Sequence, residues 1–194
     1  MSSRPVLLTM GGLLVLAGCG QEPALIVRPS APPATVQQVA QRPVIDMAAK
    51  LRQATVQSML EAEGIKRFSN GKCVSRWRRY CTSYEGMRRG TIEGVIALKN
   101  ASKCKITLSG GTETGHAKWK FSHGNGYKAD VMPTKCVDSY IRKHMRKVGK
   151  RSDGSVLFRS RSGPLYADEH GTHWDILFAP AWCIKKIIKH ARCG

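Results

Sequence analysis

The sequence predicts an α+β domain: a mainly antiparallel sheet with helices packed on one face, preceded by an export signal and a tether. Three observations carry this. Apolar residues recur at helical spacing in three segments, short apolar runs of strand length end in Gly- and Ser-rich turns, and the strands gather toward the C-terminal half. The order helix, helix, strand, strand, helix, then three strands lacks the strict β–α alternation of a parallel sheet.

The first eighteen residues read as a signal peptide. Arg4 supplies a positive start, residues 6–15 are apolar, and Leu16-Ala17-Gly18-Cys19 matches a lipobox. The apolar run is short for a membrane span, so a processed export signal fits better than an anchor helix. That resemblance to bacterial lipoprotein signals implies lipidation at Cys19. Residues 19–44 contain Pro23, Pro29, Pro32, Pro33 and Pro43 among Gln, Ala and Ser, the composition of a tether. The globular domain then spans 45–194.

Within that domain, Ile45, Ala48, Ala49, Val56, Met59 and Leu60 predict a helix over 45–62, stopped by Gly64. Residues 70–84, rich in Cys and Arg, read as a stapled loop. A second helix is expected within 85–100 from Met87, Ile92, Val95, Ile96 and Leu98, although Gly86, Gly90 and Gly94 weaken it. Strands are expected at 105–108 and 127–132, and a helix at 136–148 with Val137, Tyr140, Ile141 and Met145 inward. Two short strands at 156–159 and 164–166 flank the Ser162-Gly163 turn. A last strand covers 173–178, and the basic segment 183–193 is short and possible as a helix.

The chain has seven cysteines; setting Cys19 aside leaves Cys73, Cys81, Cys104, Cys136, Cys183 and Cys193. An even number in an exported protein points to up to three disulfides. Cys73–Cys81 and Cys183–Cys193 are the expected short-range pairs. No Cys-x-x-Cys occurs, which argues against a thiolate metal site. With 32 Lys and Arg against 13 Asp and Glu, the net charge is +19. Such a charge favours anionic partners. Export argues against nucleic acid, leaving an anionic membrane or wall surface. Among so few acids, Asp130, Asp168, Glu169 and Asp175 cluster in or beside two histidine-bearing segments.

Those segments carry the chemistry. His123 and Asp130 stand seven apart, separated by Gly124-Asn125-Gly126, and His173-Trp174-Asp175 follows later. Two neutral imidazoles and one carboxylate suit Zn2+, with the fourth position left for water. A nearby carboxylate must then handle the proton. Glu169 is the first candidate, with Asp168 and Asp175 behind it.

His123, Gly126, Asp130 and the late His173 resemble the zinc D-Ala-D-Ala peptidase family, which includes carboxypeptidases, L-alanyl-D-glutamate endopeptidases and the related hedgehog domain. The resemblance covers roughly residues 105–178. It implies a hedgehog/DD-peptidase-like fold, metal ligands His123, Asp130 and His173, and a catalytic Glu169. It implies peptidoglycan stem peptides as substrates; His116, Ser122 and Trp174, beside these residues in the sequence, are weaker candidate substrate contacts. Three departures stand out: Glu169 lies four residues before His173 rather than three, Phe121 occupies the family's Ser position, and the segment Ser109-Gly110-Gly111-Thr112-Glu113 lacks the family's upstream Arg. The expectation is a lipid-anchored zinc metallopeptidase of the bacterial cell envelope. The competing reading is a non-catalytic cationic lipoprotein of the same fold that binds cell wall.

Overall fold

Residues 45–161, 163–191 and 193 are described by the structure, a computed structural model. The expected signal peptide, Cys19 and the expected tether lie outside the described residues, as does Ser162. No helix among the described residues is long and apolar enough to cross a membrane.

The chain is α+β with a mostly antiparallel sheet. In order it forms β1 (Lys50–Leu51), α1 (Gln53–Ala62), β2 (Lys66–Arg67), β3 (Met87–Arg88), α2 (Arg89–Ser102), β4 (Thr107–Gly110), a 3-10 turn (His123–Asn125), β5 (Lys128–Val131), α3 (Lys135–His144), β6 (Arg146–Lys150), β7 (Val156–Arg159), β8 (Leu165–Asp168), β9 (Trp174–Leu177) and α4 (Ala181–Ile188). The main sheet runs β2-β4-β5-β9-β8-β7-β6 and is antiparallel except at β2–β4, while β1 and β3 form a separate ribbon.

Period-two alternation divides the sheet's side chains between two faces. Ala129, Val131, Phe158, Tyr166, Trp174 and Ile176 join Val56 and Leu60 of α1, Ile92 and Val95 of α2, and Val137 and Ile141 of α3 in one core. On the opposite face Leu157, Leu165, Ala167 and Leu177 pack with Phe121 and with Cys183 and Ile184 of α4. Thus α1–α3 share one face as expected, whereas α4 covers part of the other. Each buried aliphatic side chain contributes about 1.5–3 kcal/mol relative to exposure.

Two helix boundaries differ from expectation by several residues, each for an identifiable reason. Residues 45–49 do not extend α1: Asp46 accepts a bond from the Ala48 N–H at 2.8 Å in an Asx turn, and Lys50–Leu51 pairs with β3. The N-terminus of α1 is capped from afar, with the Gln53 N–H donating to Glu85 Oε2 at 2.7 Å. The third helix ends at His144 instead of continuing to 148, because Arg146–Lys150 pairs with β7. At its start Thr134 accepts from the Val137 N–H at 3.2 Å, an N-cap ahead of Cys136.

The glycines that weaken α2 in the sequence mark close approaches. A Cβ on Gly94 would lie 2.1 Å from Phe178 Cε1. The absent side chain lets the helix seat against the end of β9 at the cost of helix propensity.

Disulfides join Cys73–Cys81, Cys104–Cys136 and Cys183–Cys193. The first and third are the expected short loops. The second ties the end of α2 to the start of α3.

Candidate metal centre

The β5–β9 ladder builds the site. Its register sets Asp130 directly opposite Asp175, with Gly110 of β4 and Ala167 of β8 flanking them in the same cross-strand row. Two small residues therefore border two carboxylates. The irregular register between Leu108 and Gly110 lies beside them. A Cβ on Gly110 would stand 2.1 Å from Asp130 Oδ2, so only glycine leaves that carboxylate its place. By the same alternation, His173 and Asp175 point to this face, and Trp174 to the other.

His123 arrives from the 3-10 turn. Gly126 closes that turn with φ of 77°, its N–H donating to the His123 carbonyl at 2.7 Å. The Gly126 carbonyl in turn accepts from Thr91 Oγ1 at 2.7 Å, fastening the turn to α2. His123 Nδ1 lies 2.8 Å from the Gly111 carbonyl, a contact in which nitrogen donates. That orientation turns Nε2 toward the carboxylates, 3.2 Å from Asp130 Oδ1 and 3.6 Å from Asp175 Oδ1.

Both Oδ1 atoms are buried and make no hydrogen bond among the described residues. Buried carboxylate oxygens without a donor are costly, and each calls for a cation or proton. In this protein the imidazolium meets the demand electrostatically. Burial alone would lower the His123 pKa, but Asp130 and then Asp175 outweigh it and push it up to about 10. Burial likewise works against ionised Asp130 and Asp175, yet their neighbours win. His123 holds Asp130 below the usual carboxylate range, and His123 with Lys128 holds Asp175 well below it.

His116 stacks on His123, ring centroids 3.9 Å apart. Its Nε2 is 3.2 Å from Glu113 Oε1. Glu113 is itself fixed by the N–H groups of Ser83 at 2.7 Å and Gly111 at 3.0 Å. His116, His123 and Asp130 can place one ligand atom each within 4.8 Å of one another, a group able to hold a metal ion. The set of imidazole nitrogens and carboxylate oxygens suits a borderline divalent cation. The two bare oxygens are what such an ion would satisfy.

The expected residues are thus partly redistributed. His123 and Asp130 come together as predicted. His116, expected as a substrate contact, joins them. His173 is a third exposed, with Nε2 3.7 Å from Asp130 Oδ1, beside the group rather than within it. Glu169 faces the same pocket, a hollow of about 290 Å³ lined also by His116, His123, Lys128, Arg151, His173 and Asp175. One Glu169 oxygen pairs with Arg151 and the other accepts from Ser155 Oγ at 3.3 Å. Ser122 is buried and borders an adjoining hollow of about 380 Å³. Asp168 pairs with Arg142 on the far face.

Trp174 corrects an expectation: it lies in the core, its Nε1 donating to Asp138 Oδ1 at 2.8 Å, because adjacent strand residues face opposite ways. Comparisons with protein-family models, curated proteins and solved structures found no match.

Three residues of the site escaped sequence reasoning. Lys128 pairs with Asp175 Oδ2, and Arg151 Nη1 donates to the same oxygen at 2.9 Å. Lys128 precedes Asp130 by two in a strand, so alternation could have placed it. Arg151 follows β6, a strand that reads as helix, and Glu113 acts through a loop. Neither carries a local signal.

Proposed function

We propose that this chain is a zinc-dependent metallopeptidase that hydrolyses amide bonds of peptidoglycan stem peptides at the bacterial cell envelope. The observation that carries the reading is the pair of bare, buried oxygens of Asp130 and Asp175 converging on His123 beside a pocket that also holds Glu169. His116, His123 and Asp130 would hold the ion, with Asp175 and His173 adjoining. Zinc bound there supplies a Lewis acid and a water of lowered pKa.

The chain's own groups do the rest. Arg151 and Lys128 bring positive charge to the pocket, the role for which the segment 109–113 offers no Arg, and orient a substrate carbonyl by its oxygen. Glu169, aimed by Arg151 and Ser155, accepts the proton of the attacking water and returns it to the departing amine. Three disulfides suit an oxidising compartment, in keeping with the lipobox at Cys19 and an envelope location. The surplus of cations suits contact with an anionic wall or membrane surface.

One observation favours a second reading, a wall-binding lipoprotein without catalysis: both Glu169 oxygens already have partners. Purified protein incubated with peptidoglycan separates the two. Wild type should release peptide or D-Ala and Glu169→Ala should not. Binding by both with release by neither supports the second reading. Less than stoichiometric zinc, in buffers free of chelator, removes the metal site from either.

A further inference from the structure

The segment between Lys66 and Thr82 holds six Lys and Arg and no Asp or Glu. Four of the seven large apolar side chains exposed among the described residues lie in it, the others being Ile45, Met47 and Trp182. Trp77 is 80% exposed, Tyr80 49%, Phe68 46% and Val74 38%. Large apolar side chains exposed together within one short loop suit a contact surface.

The loop is braced. The Cys73–Cys81 disulfide closes it, the Gly71 N–H donates to the Tyr80 carbonyl at 3.0 Å, and Arg67 Nη1 donates to the Cys73 carbonyl at 2.8 Å. Ser69 Oγ donates to the same carbonyl at 3.0 Å and accepts from the Thr82 N–H at 3.1 Å. Arg76 reaches inward to the carbonyls of Glu85 and Gly124. By contrast Lys66, Lys72, Arg78 and Arg79 are exposed, and none of them pairs with a carboxylate among the described residues. A pre-ordered loop loses little conformational freedom on docking.

We propose that this stapled loop is a membrane-docking hook that inserts Trp77, Tyr80, Phe68 and Val74 at the surface of an anionic lipid bilayer. The four unpaired cations seat against the headgroups. Trp and Tyr are the side chains that settle at the polar–apolar boundary, with an apolar ring and a polar edge. Lys and Arg near an anionic surface add attraction that salt screens. Val74, which has neither a hydrogen bond nor a ring face to offer a wall polymer or a nucleic acid, favours lipid, and Phe68 adds apolar area beside it. Both gain by leaving water for hydrocarbon. Trp77 also borders the hollow of about 380 Å³ beside the candidate metal centre, but docking of the loop on a bilayer requires neither zinc nor peptidase activity.

The test uses the full chain carrying Cys19→Ser, so that no acyl chain contributes. Vesicles of phosphatidylglycerol and phosphatidylcholine, with some lipids brominated, report binding and the quenching of tryptophan fluorescence. Wild type should bind anionic vesicles better than pure phosphatidylcholine, and brominated lipid should quench a component that Trp77→Ala lacks. Trp77→Ala and the pair Arg78→Glu/Arg79→Glu should each weaken binding by about tenfold or more. The pair Lys185→Glu/Lys189→Glu, in and just after α4, carries the same change in net charge and should weaken it far less. Unchanged thermal unfolding confirms that these surface variants fold. Equal loss in both charge-reversal pairs overturns the hook in favour of general charge. Quenching that survives Trp77→Ala overturns it too, as does binding to wall fragments or oligonucleotides with none to vesicles.

Discussion

The imidazole of His123 faces two carboxylates whose bare oxygens are turned toward it, and this sets the acid–base behaviour of the metal-free protein. With its pKa pushed up to about 10, from about 6.5 for an unperturbed His, the imidazolium adds stability that is full below about pH 6.5. That stability is lost as pH rises through about 10. Asp130 and Asp175 act in the opposite sense, adding stability above the usual carboxylate range that is lost as pH falls through their lowered values. Urea unfolding in chelator should therefore show declining stability between about pH 6.5 and 10; a flat profile there contradicts the pairing. A metal must displace the same proton. Zinc titrated calorimetrically near pH 7 should release about one proton, seen as heat that varies with the buffer's ionisation enthalpy. Heat independent of buffer would remove His123 from the ligand set.

At the scale of elements, β5 and β9 place the two carboxylates side by side, and β4 makes room with Gly110. Gly110→Ala should cost tenfold or more in metal affinity by displacing Asp130, with the fold retained by circular dichroism. Affinity equal to wild type would show that Asp130 is not held by this contact. Replacing Cys104 and Cys136 with Ser opens the link between α2 and α3, the longest of the three disulfide loops at 32 residues of separation. The expected cost is about 3–4 kcal/mol in denaturant unfolding, more than for either shorter loop. A smaller loss than for Cys183–Cys193 would contradict the loop-entropy account. Elements themselves were legible where periodicity was undisturbed, as in α2 and β7. Helical spacing misleads at 45–49, where an Asx turn leads into β1, and at 146–148, where hairpin pairing with β7 takes the backbone.

At the scale of the whole described domain, one face of the sheet packs under α1–α3, and the other is covered in part by α4 and opens in part onto the candidate metal pocket. Metal bound at the divided face stabilises the folded state alone. Added zinc should raise the unfolding temperature by several degrees, as about 2–4 kcal/mol implies for a domain of this size, and chelator should reverse it. No shift in a thermal scan would mean that the pocket takes no ion.

The sequence by itself determined the α+β class, the positions of most helices and strands, two disulfides, the cationic character, and His123 with Asp130 as a candidate pair. These follow from local periodicity, composition and spacing, which act within a few residues. Only the tertiary structure decided that His116 stacks into the group, that Asp175 stands opposite Asp130, that Arg151 and Lys128 enter the pocket, and that Trp174 turns away from it. Apart from the His116–His123 stack, those depend on strand register and loop docking between segments far apart in sequence. A shift of one residue in that register would send every one of these strand side chains to the other face.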